Sequence, residues 1–451
     1  MNIVIVGCGT VGAAICMQLV KEGHDITVID ESADAIGDLT STCDVFGLVG
    51  NGANVAVLRK AGAEAADLLI AVTSGDEINI LCCAAARHLG TRHTIARVRN
   101  PEYSELMHMM KGEMSLSMTI NPELAAAREI YRMLRYPSAA KIDTLYRGRV
   151  ELAELTVDKG SFFCNLTLRE IRARMNIRFL ICAVKRDGQV FIPSGDFRIL
   201  AGDTISVTAP DDEITDLFKA IGAYKHPCRD VLIVGGGRIT YYLQELLQNS
   251  RIRSTVIEKR KDLCRDLAEQ YTCTVVCDNG TNQELLLQEG VGHVDALLAL
   301  SEIDEENAIV SMFAKTQGTP KVVTMINTMS YVDFFKRVGL ESIVSPKAST
   351  AVSILHFVRS MTADPRSEIE SLHKTLDGRV EALEFVVKEE IEGLTGVPMK
   401  HLKPQGGVLV ACIVHDDRII LPGGDDVISS GDTVIVVALG GKMHRIQDIM
   451  R

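Results

Sequence analysis

From residue 3 onward the chain alternates short apolar runs with stretches that repeat an apolar residue every three or four positions. The runs Ile3–Val6, Ile26–Ile29, Val45–Val49, Leu68–Val72 and Thr94–Val98 are largely apolar. That pattern predicts strands buried on both faces, as in a parallel sheet. Helical spacing fills the intervals at Val11–Lys21, Ala33–Thr42, Val55–Ala61, Glu77–His88 and Glu102–Met110. Gly23, Gly62 and Gly90 stand where helices stop. The alternation predicts an α/β fold, a Rossmann-like doubly wound parallel sheet. A sixth strand is expected at Ser117–Ile120. Pro122 then opens a long amphipathic helix, Glu123–Leu134, which Tyr136-Pro137 ends.

The pattern then changes. Arg149–Val157 alternates as a strand, Thr167–Arg174 is helical, and Leu180–Lys185, Gln189–Ile192 and Thr204–Thr208 read as strands. Asp187-Gly188 is a hairpin signal, and a helix at Glu213–Ile221 closes the unit. This is a small α+β domain without a glycine-rich loop.

The second half repeats both parts. Gly235 follows Gly7 by 228 residues, and the same offset relates Asp30 to Glu258, Asn51-Gly52 to Asn279-Gly280, Asp67 to Asp295, Thr73 to Ser301 and Asn79 to Asn307. Loops that keep their lengths over that span imply a duplicated domain. Domains are therefore expected in the order large, small, large, small, over residues 1–136, 137–226, 227–362 and 363–451, with boundaries near Pro137, Pro227 and Pro365.

Each large domain opens with a glycine-rich turn between strand and helix. In Gly7-Cys8-Gly9-Thr10-Val11-Gly12, Gly7 permits the tight turn, Gly9 lets the backbone approach a pyrophosphate, and Gly12 lets helix and strand pack closely. The anion would rest on amide groups at the helix N-terminus. Asp30, at the end of the second strand, is placed to accept hydrogen bonds from ribose hydroxyls and to repel a 2′-phosphate. Its competing role is capping the next helix. Asn51-Gly52 could contact an adenine edge or serve the turn alone. Thr73-Ser74 ends the fourth strand at the open edge of the sheet, where helix capping is the alternative. Arg97 is a cation in an apolar strand; it calls for a phosphate or an internal carboxylate.

In the second copy, Gly235-Gly236-Gly237-Arg238-Ile239, Thr240 replaces the third glycine and Met325 replaces Arg97. Glu258, Asn279 and Ser301 keep the other roles. Arg238 could compensate for the lost cation. The second site is expected to be altered or weaker.

Composition narrows the function. The net charge of −11 argues against nucleic acid as a partner. No apolar stretch approaches a membrane span, and the chain starts directly on a strand pattern without a cleavable leader, so a cytoplasmic protein is expected. The twelve cysteines sit mostly alone in apolar segments and read as buried small hydrophobes; no metal site is expected.

The segments IVIVGCGTVG, DITVIDE, VGNGAN, ADLLIAVTSGDEINIL and ARVRNPEY together resemble the N-terminal domain of the RCK (regulator of potassium conductance) family. Leu168-Arg169-Glu170, Ile192-Pro193-Ser194-Gly195-Asp196 and Gly202-Asp203-Thr204 resemble the RCK C-terminal domain. The tandem arrangement is similar to the cytosolic regulatory subunits of Trk-type potassium uptake systems. That resemblance implies a homotetrameric ring beneath a membrane potassium channel or transporter subunit (TrkH/TrkG-like), at the inner face of the membrane. It implies NAD(H) as ligand, with ATP or ADP as alternatives at the same sites. It also carries pyrophosphate contacts onto Gly7, Gly9, Thr10, Val11 and Gly12, a ribose contact onto Asp30, and further contacts onto Asn51, Thr73, Ser74 and Arg97.

Two other readings compete. An NAD-dependent oxidoreductase needs a proton-transfer residue facing the nicotinamide. The eleven histidines form no constellation repeated between the halves. A regulator of another cation exporter or antiporter would use the same first domain. The expectation is therefore a switch and not an enzyme.

Overall fold

The computed structural model describes residues 1–100, 102–103, 116–136, 141–146, 149–210, 213–221, 228–250, 252–340, 342–362, 369–376, 378–402, 404–440, 443 and 445–450. Most of the helix expected at Glu102–Met110 and the boundary positions Pro137, Pro227 and Pro365 lie outside them. Two compact units emerge: Met1–Tyr131 with Cys228–Val358, and Arg132–Pro227 with Arg359–Arg451.

The first unit holds two six-stranded parallel sheets. In the first sheet, strands β1 (Asn2–Val6), β2 (Asp25–Asp30), β3 (Phe46–Val49), β4 (Leu68–Ala71), β5 (His93–Arg97) and β6 (Met118–Ile120) lie in the order β3-β2-β1-β4-β5-β6. The order reverses between β1 and β4, the crevice where doubly wound sheets bind ligands. The second sheet repeats that order with Asp230–Val234, Arg253–Glu258, Thr274–Cys277, Ala296–Ala299, Lys321–Met325 and Ser342–Val344. The apolar runs are buried as their continuity requires: Ile3, Val4, Ile5 and Val6 are at most 2% exposed.

One buried asparagine ties the ends of β4 and β5 together. Asn79, fully buried, accepts from the Thr73 amide (2.8 Å) and hydroxyl (2.7 Å) and donates to the carbonyls of Thr73 (3.2 Å) and Arg97 (2.9 Å). Asn307 repeats this, accepting from the Ser301 amide and donating to the Ser301 and Met325 carbonyls. Backbone groups at a crevice have no ladder partner, so a side chain must satisfy them.

The second unit contains two five-stranded, largely antiparallel sheets. In the first, Lys141–Leu145 pairs with Val150–Thr156, a strand that the sequence pattern did not reveal. The other strands, Leu180–Arg186, Gln189–Phe191 and Thr204–Pro210, fall where expected. In the second copy the two helices shrink to 3-10 turns, Met399–His401 and Ile446–Met450.

The two small sheets share an apolar core that includes Leu152, Cys182, Val380, Ala382, Cys412 and Val437. Their edges exchange equivalent contacts. Glu154 accepts from the amide of Leu376 (2.9 Å), and Glu384 accepts from the amide of Tyr146 (2.6 Å). Both pairs are related by the same 230-residue step, so the repeats associate as the two halves of an isologous dimer do.

Candidate functional site

The first crevice is a cavity of about 560 Å³ at the reversal point of the sheet. Gly7, Gly9, Thr10, Val11, Asp30, Asn51, Gly52, Thr73, Ser74 and Arg97 all line it. Helix Thr10–Lys21 starts at Gly9, which offers no side-chain cap, so the first-turn amides are left for a ligand. Gly7 adopts φ +103°, and a Cβ there would stand 2.9 Å from the Thr73 amide nitrogen. A Cβ at Gly52 would meet Val6 at 2.2 Å, whereas one at Gly9 would point into open space. The protein's own packing thus requires the first glycine and not the middle one.

Two fingerprint residues do not line the cavity. Gly12 lies beneath the turn, where a Cβ would fall 1.8 Å from the Gly7 carbonyl oxygen. Cys8 is buried, and its amide donates to Asp30 Oδ2 at 2.6 Å. Burial, then the Asp30 carboxylate, pushes its thiol up to about 12, so it stays protonated near neutral pH.

Asp30 is not the cap of the next helix. Ser32 is, accepting from Ala35, while Asp30 Oδ1 accepts from the Ser32 amide at 2.9 Å. Each carboxylate oxygen keeps a lone pair for a ribose hydroxyl. Gly75, not Thr73 or Ser74, precedes the helix Asp76–Leu89. Asn51 serves its turn, accepting from the Ala53 amide at 2.8 Å, while also lining the cavity.

No carboxylate pairs with Arg97 among the described residues. Its Nη2 donates to the Thr73 carbonyl at 2.5 Å, and its buried Nε has no partner among the described residues. Burial and then the neighbouring Arg99 lower its basicity. Two cations escaped the sequence reading: Arg99 and Lys347 also line this crevice. Arg99 lies just beyond the end of β5. Lys347 comes from the helix Pro346–Thr362 of the second large domain, and only the packing of the two domains could reveal it.

The second crevice is smaller, about 200 Å³, below the usual range of small-molecule pockets. Gly235, Gly237, Glu258, Asn279 and Ser301 line it; Gly236, Arg238 and Ile239 do not. Gly236 is held from behind, its amide donating to Glu258 Oε2 at 2.7 Å. Arg238 and Ile239 leave the start of their helix sideways and line a cleft within the first unit, with Arg97, Arg99 and Glu123. Arg238 therefore does not compensate for Met325; Lys259 and Arg260 supply the cations there. Thr240 is accommodated where Gly12 had seemed obligatory, because its hydroxyl donates to the Gly235 carbonyl at 2.6 Å.

Charge separates the two cavities. The first has Arg97, Arg99 and Lys347 against Asp30 and Glu31. The second has Lys259 and Arg260 against Glu258, Glu302 and Glu306. An anion is favoured by the first set and disfavoured by the second.

Comparison with known proteins matches this arrangement piece by piece. The TrkA-N domain model matches residues 3–122 and 231–346, and the TrkA-C domain model matches residues 152–222 and 383–451. A Trk system potassium uptake protein TrkA homolog of Archaeoglobus fulgidus is 30% identical over 453 residues, covering 100% of both chains. The Trk system potassium uptake protein TrkA of Halomonas elongata is 31% identical over 457 residues, covering 100% of this chain and 98% of its own. Among solved structures, the GsuK channel bound to NAD superposes with a TM-score of 0.66 at 18% identity, over 97% of this chain and 77% of that one. The GsuK RCK domain gives 0.65 at 18% identity, over 97% and 92%. Repeated parallel sheets, a repeated small domain and full-length relatives agree: the chain belongs to the TrkA family, with TrkA-N and TrkA-C domains in tandem.

Proposed function

We propose that this protein is a regulatory subunit of a potassium uptake system, and that its first crevice senses adenine nucleotides, NAD⁺/NADH or ATP/ADP, without transforming them. The observation that carries the nucleotide reading is the first crevice itself: uncapped helix amides, a ribose-side carboxylate at Asp30 and three cations around one open cavity. The potassium reading rests on the full-length relatives named for Trk potassium uptake. No helix among the described residues is long and apolar enough to cross a membrane, so conduction is assigned to a separate membrane subunit. Domains divide at 136/137, 226/227 and 362/363, and four chains close a ring of eight RCK units on that subunit, at the inner face of the membrane. Gating then requires a nucleotide that binds two ring states unequally, because equal affinity shifts nothing.

Reconstitution of the chain with a Trk-type membrane subunit tests this reading. Potassium flux is expected to depend on both the chain and the nucleotide added. Flux that is identical with and without the chain, through every Trk-type partner tried, would sink it. An oxidoreductase would instead turn over alcohols or hydroxy acids with NAD⁺, and none is expected to be consumed.

Two binding results follow from the geometry. Asp30→Ala removes the ribose acceptor and should weaken NADH and ATP at the first crevice by roughly 1.5–3 kcal/mol, the contribution of a hydrogen bond to a charged group. Isothermal titration on the intact protein reads it, and an unchanged affinity would unseat Asp30. The same titration should resolve a stronger and a weaker class of site, with Arg97→Met moving the stronger towards the weaker. Two equal classes, both indifferent to Arg97, would contradict the charge argument.

A further inference from the structure

Two cysteines of the second large domain meet beside its crevice. Cys264 lies on the helix Lys261–Gln270 and is 7% exposed. Its Sγ donates to the Glu258 carbonyl at 3.1 Å. Glu258 is paired directly across the parallel ladder with Cys277, which ends the neighbouring strand and is exposed. The two thiols consequently share the space around one residue. Burial first, then the neighbouring Cys277 thiol, pushes the Cys264 thiol up to about 12. The first half has no such pair, since Ile36 and Val49 occupy the matching positions 228 residues earlier.

We propose that Cys264 and Cys277 form a modification site: a dithiol that hydrogen peroxide converts to a disulfide, which weakens ligand binding at the second crevice alone. Cys277 reacts first, because it is the accessible sulfur. Its thiolate attacks one peroxide oxygen, the O–O bond breaks, and Cys277 becomes a sulfenic acid with release of one water. The Cys264 sulfur then attacks the Cys277 sulfur. The S–O bond breaks, the hydroxide leaves with the Cys264 proton as a second water, and the S–S bond forms. Two thiols lose two electrons, and one peroxide gains them. The protonated state of Cys264 slows the second step but does not prevent it, since the hydroxide takes up the proton.

The consequence for the crevice passes through Glu258. Its carbonyl loses the Cys264 thiol as a donor. Its carboxylate, which holds the Gly236 amide at 2.7 Å and the Arg260 amide at 2.8 Å, stands on the backbone that must then readjust. This part rests on the nucleotide reading given above; the disulfide itself does not.

Reduced full-length protein is treated with hydrogen peroxide, alkylated, digested and analysed by mass spectrometry, with a parallel titration of NADH and ADP. A peptide pair joined through Cys264 and Cys277 is expected, lost on reduction with dithiothreitol and absent from Cys277→Ser. The weaker class of site should lose about tenfold in affinity, the factor carried by one charge-assisted hydrogen bond. The stronger class should not change, and dithiothreitol should restore the weaker one. Cys277 found only as sulfenic or sulfinic acid, with Cys264 alkylated after unfolding, would overturn the site. A disulfide that leaves both classes unaltered would overturn its effect on the crevice. Absence of all nucleotide binding in the reduced protein would count against the nucleotide reading instead, and the mass spectrum alone would then decide the disulfide. Cys264→Ser serves as a second control, because Cys277→Ser changes only an exposed position.

Discussion

A Gly9→Asp variant is expected to fold like the parent and to bind NADH or ATP at the first crevice at least a hundredfold more weakly. The folding half of that expectation comes from the space around Gly9, where an added Cβ meets nothing within 4 Å. The binding half comes from charge. The new carboxylate would stand where a pyrophosphate rests on the first-turn amides. Two unit charges about 4 Å apart at an effective dielectric of 20 repel by about 4 kcal/mol. That corresponds to roughly a thousandfold in affinity, and solvent screening at the open mouth reduces it. Thermal denaturation and calorimetry separate the two halves. An unchanged melting temperature with binding lost supports the assignment. Binding retained would show that the anion lies elsewhere, and a large loss of stability would show that the turn cannot carry a side chain. In the reconstituted system the same variant should blunt the response of potassium flux to nucleotide.

The second large effect is structural. Asn79→Ala should destabilise the first unit by about 3 kcal/mol, because the amides and carbonyls it satisfies are left buried without partners at about 1–3 kcal/mol each. The groups at risk are the Thr73 amide and the Arg97 carbonyl, since the Thr73 carbonyl keeps Arg97 Nη2 as a donor. Thr73 and Arg97 both line the crevice, so affinity should fall along with stability. Asn79→Asp keeps the acceptor but loses the donor and should lie between the parent and Ala. Denaturant unfolding measures the series, and equal stability across all three would show that Asn79 is replaceable by water. Asn307→Ala should cost a similar amount of stability while leaving the stronger class of nucleotide site untouched.

Much of this was written in the order of residues. The strands of the large domains could be read because burial on both faces demands continuous apolar runs, and Ile3–Val6 or Leu68–Ala71 satisfy it within four residues. Most of the first crevice was legible for a related reason. A tight turn with φ +103°, where a Cβ would stand 2.9 Å from the Thr73 amide nitrogen, favours glycine alone, so Gly7 announces the turn. The strand Lys141–Leu145 gave no such signal; its sequence KIDTL mixes charged and apolar residues because it lies at the edge of its sheet. Thr240 misled in the opposite direction. Its bulk argued against close packing, yet its hydroxyl bonds the very carbonyl that a methyl group would strike.

By itself the sequence determined the local conformations, the duplication and the residues around each glycine-rich turn, all of which depend on interactions short in sequence or on strict periodicity. Tertiary structure alone decided which cations meet which cavity. Lys347 reaches the first crevice from the other large domain, Arg238 turns into the cleft instead of the second crevice, and Cys264 and Cys277 come together at Glu258, one through its carbonyl and the other across the ladder. Long charged side chains have no periodic signature. Their destination is set by which surfaces the fold brings together, and electrostatic energy falls off with distance in space and not with distance along the chain.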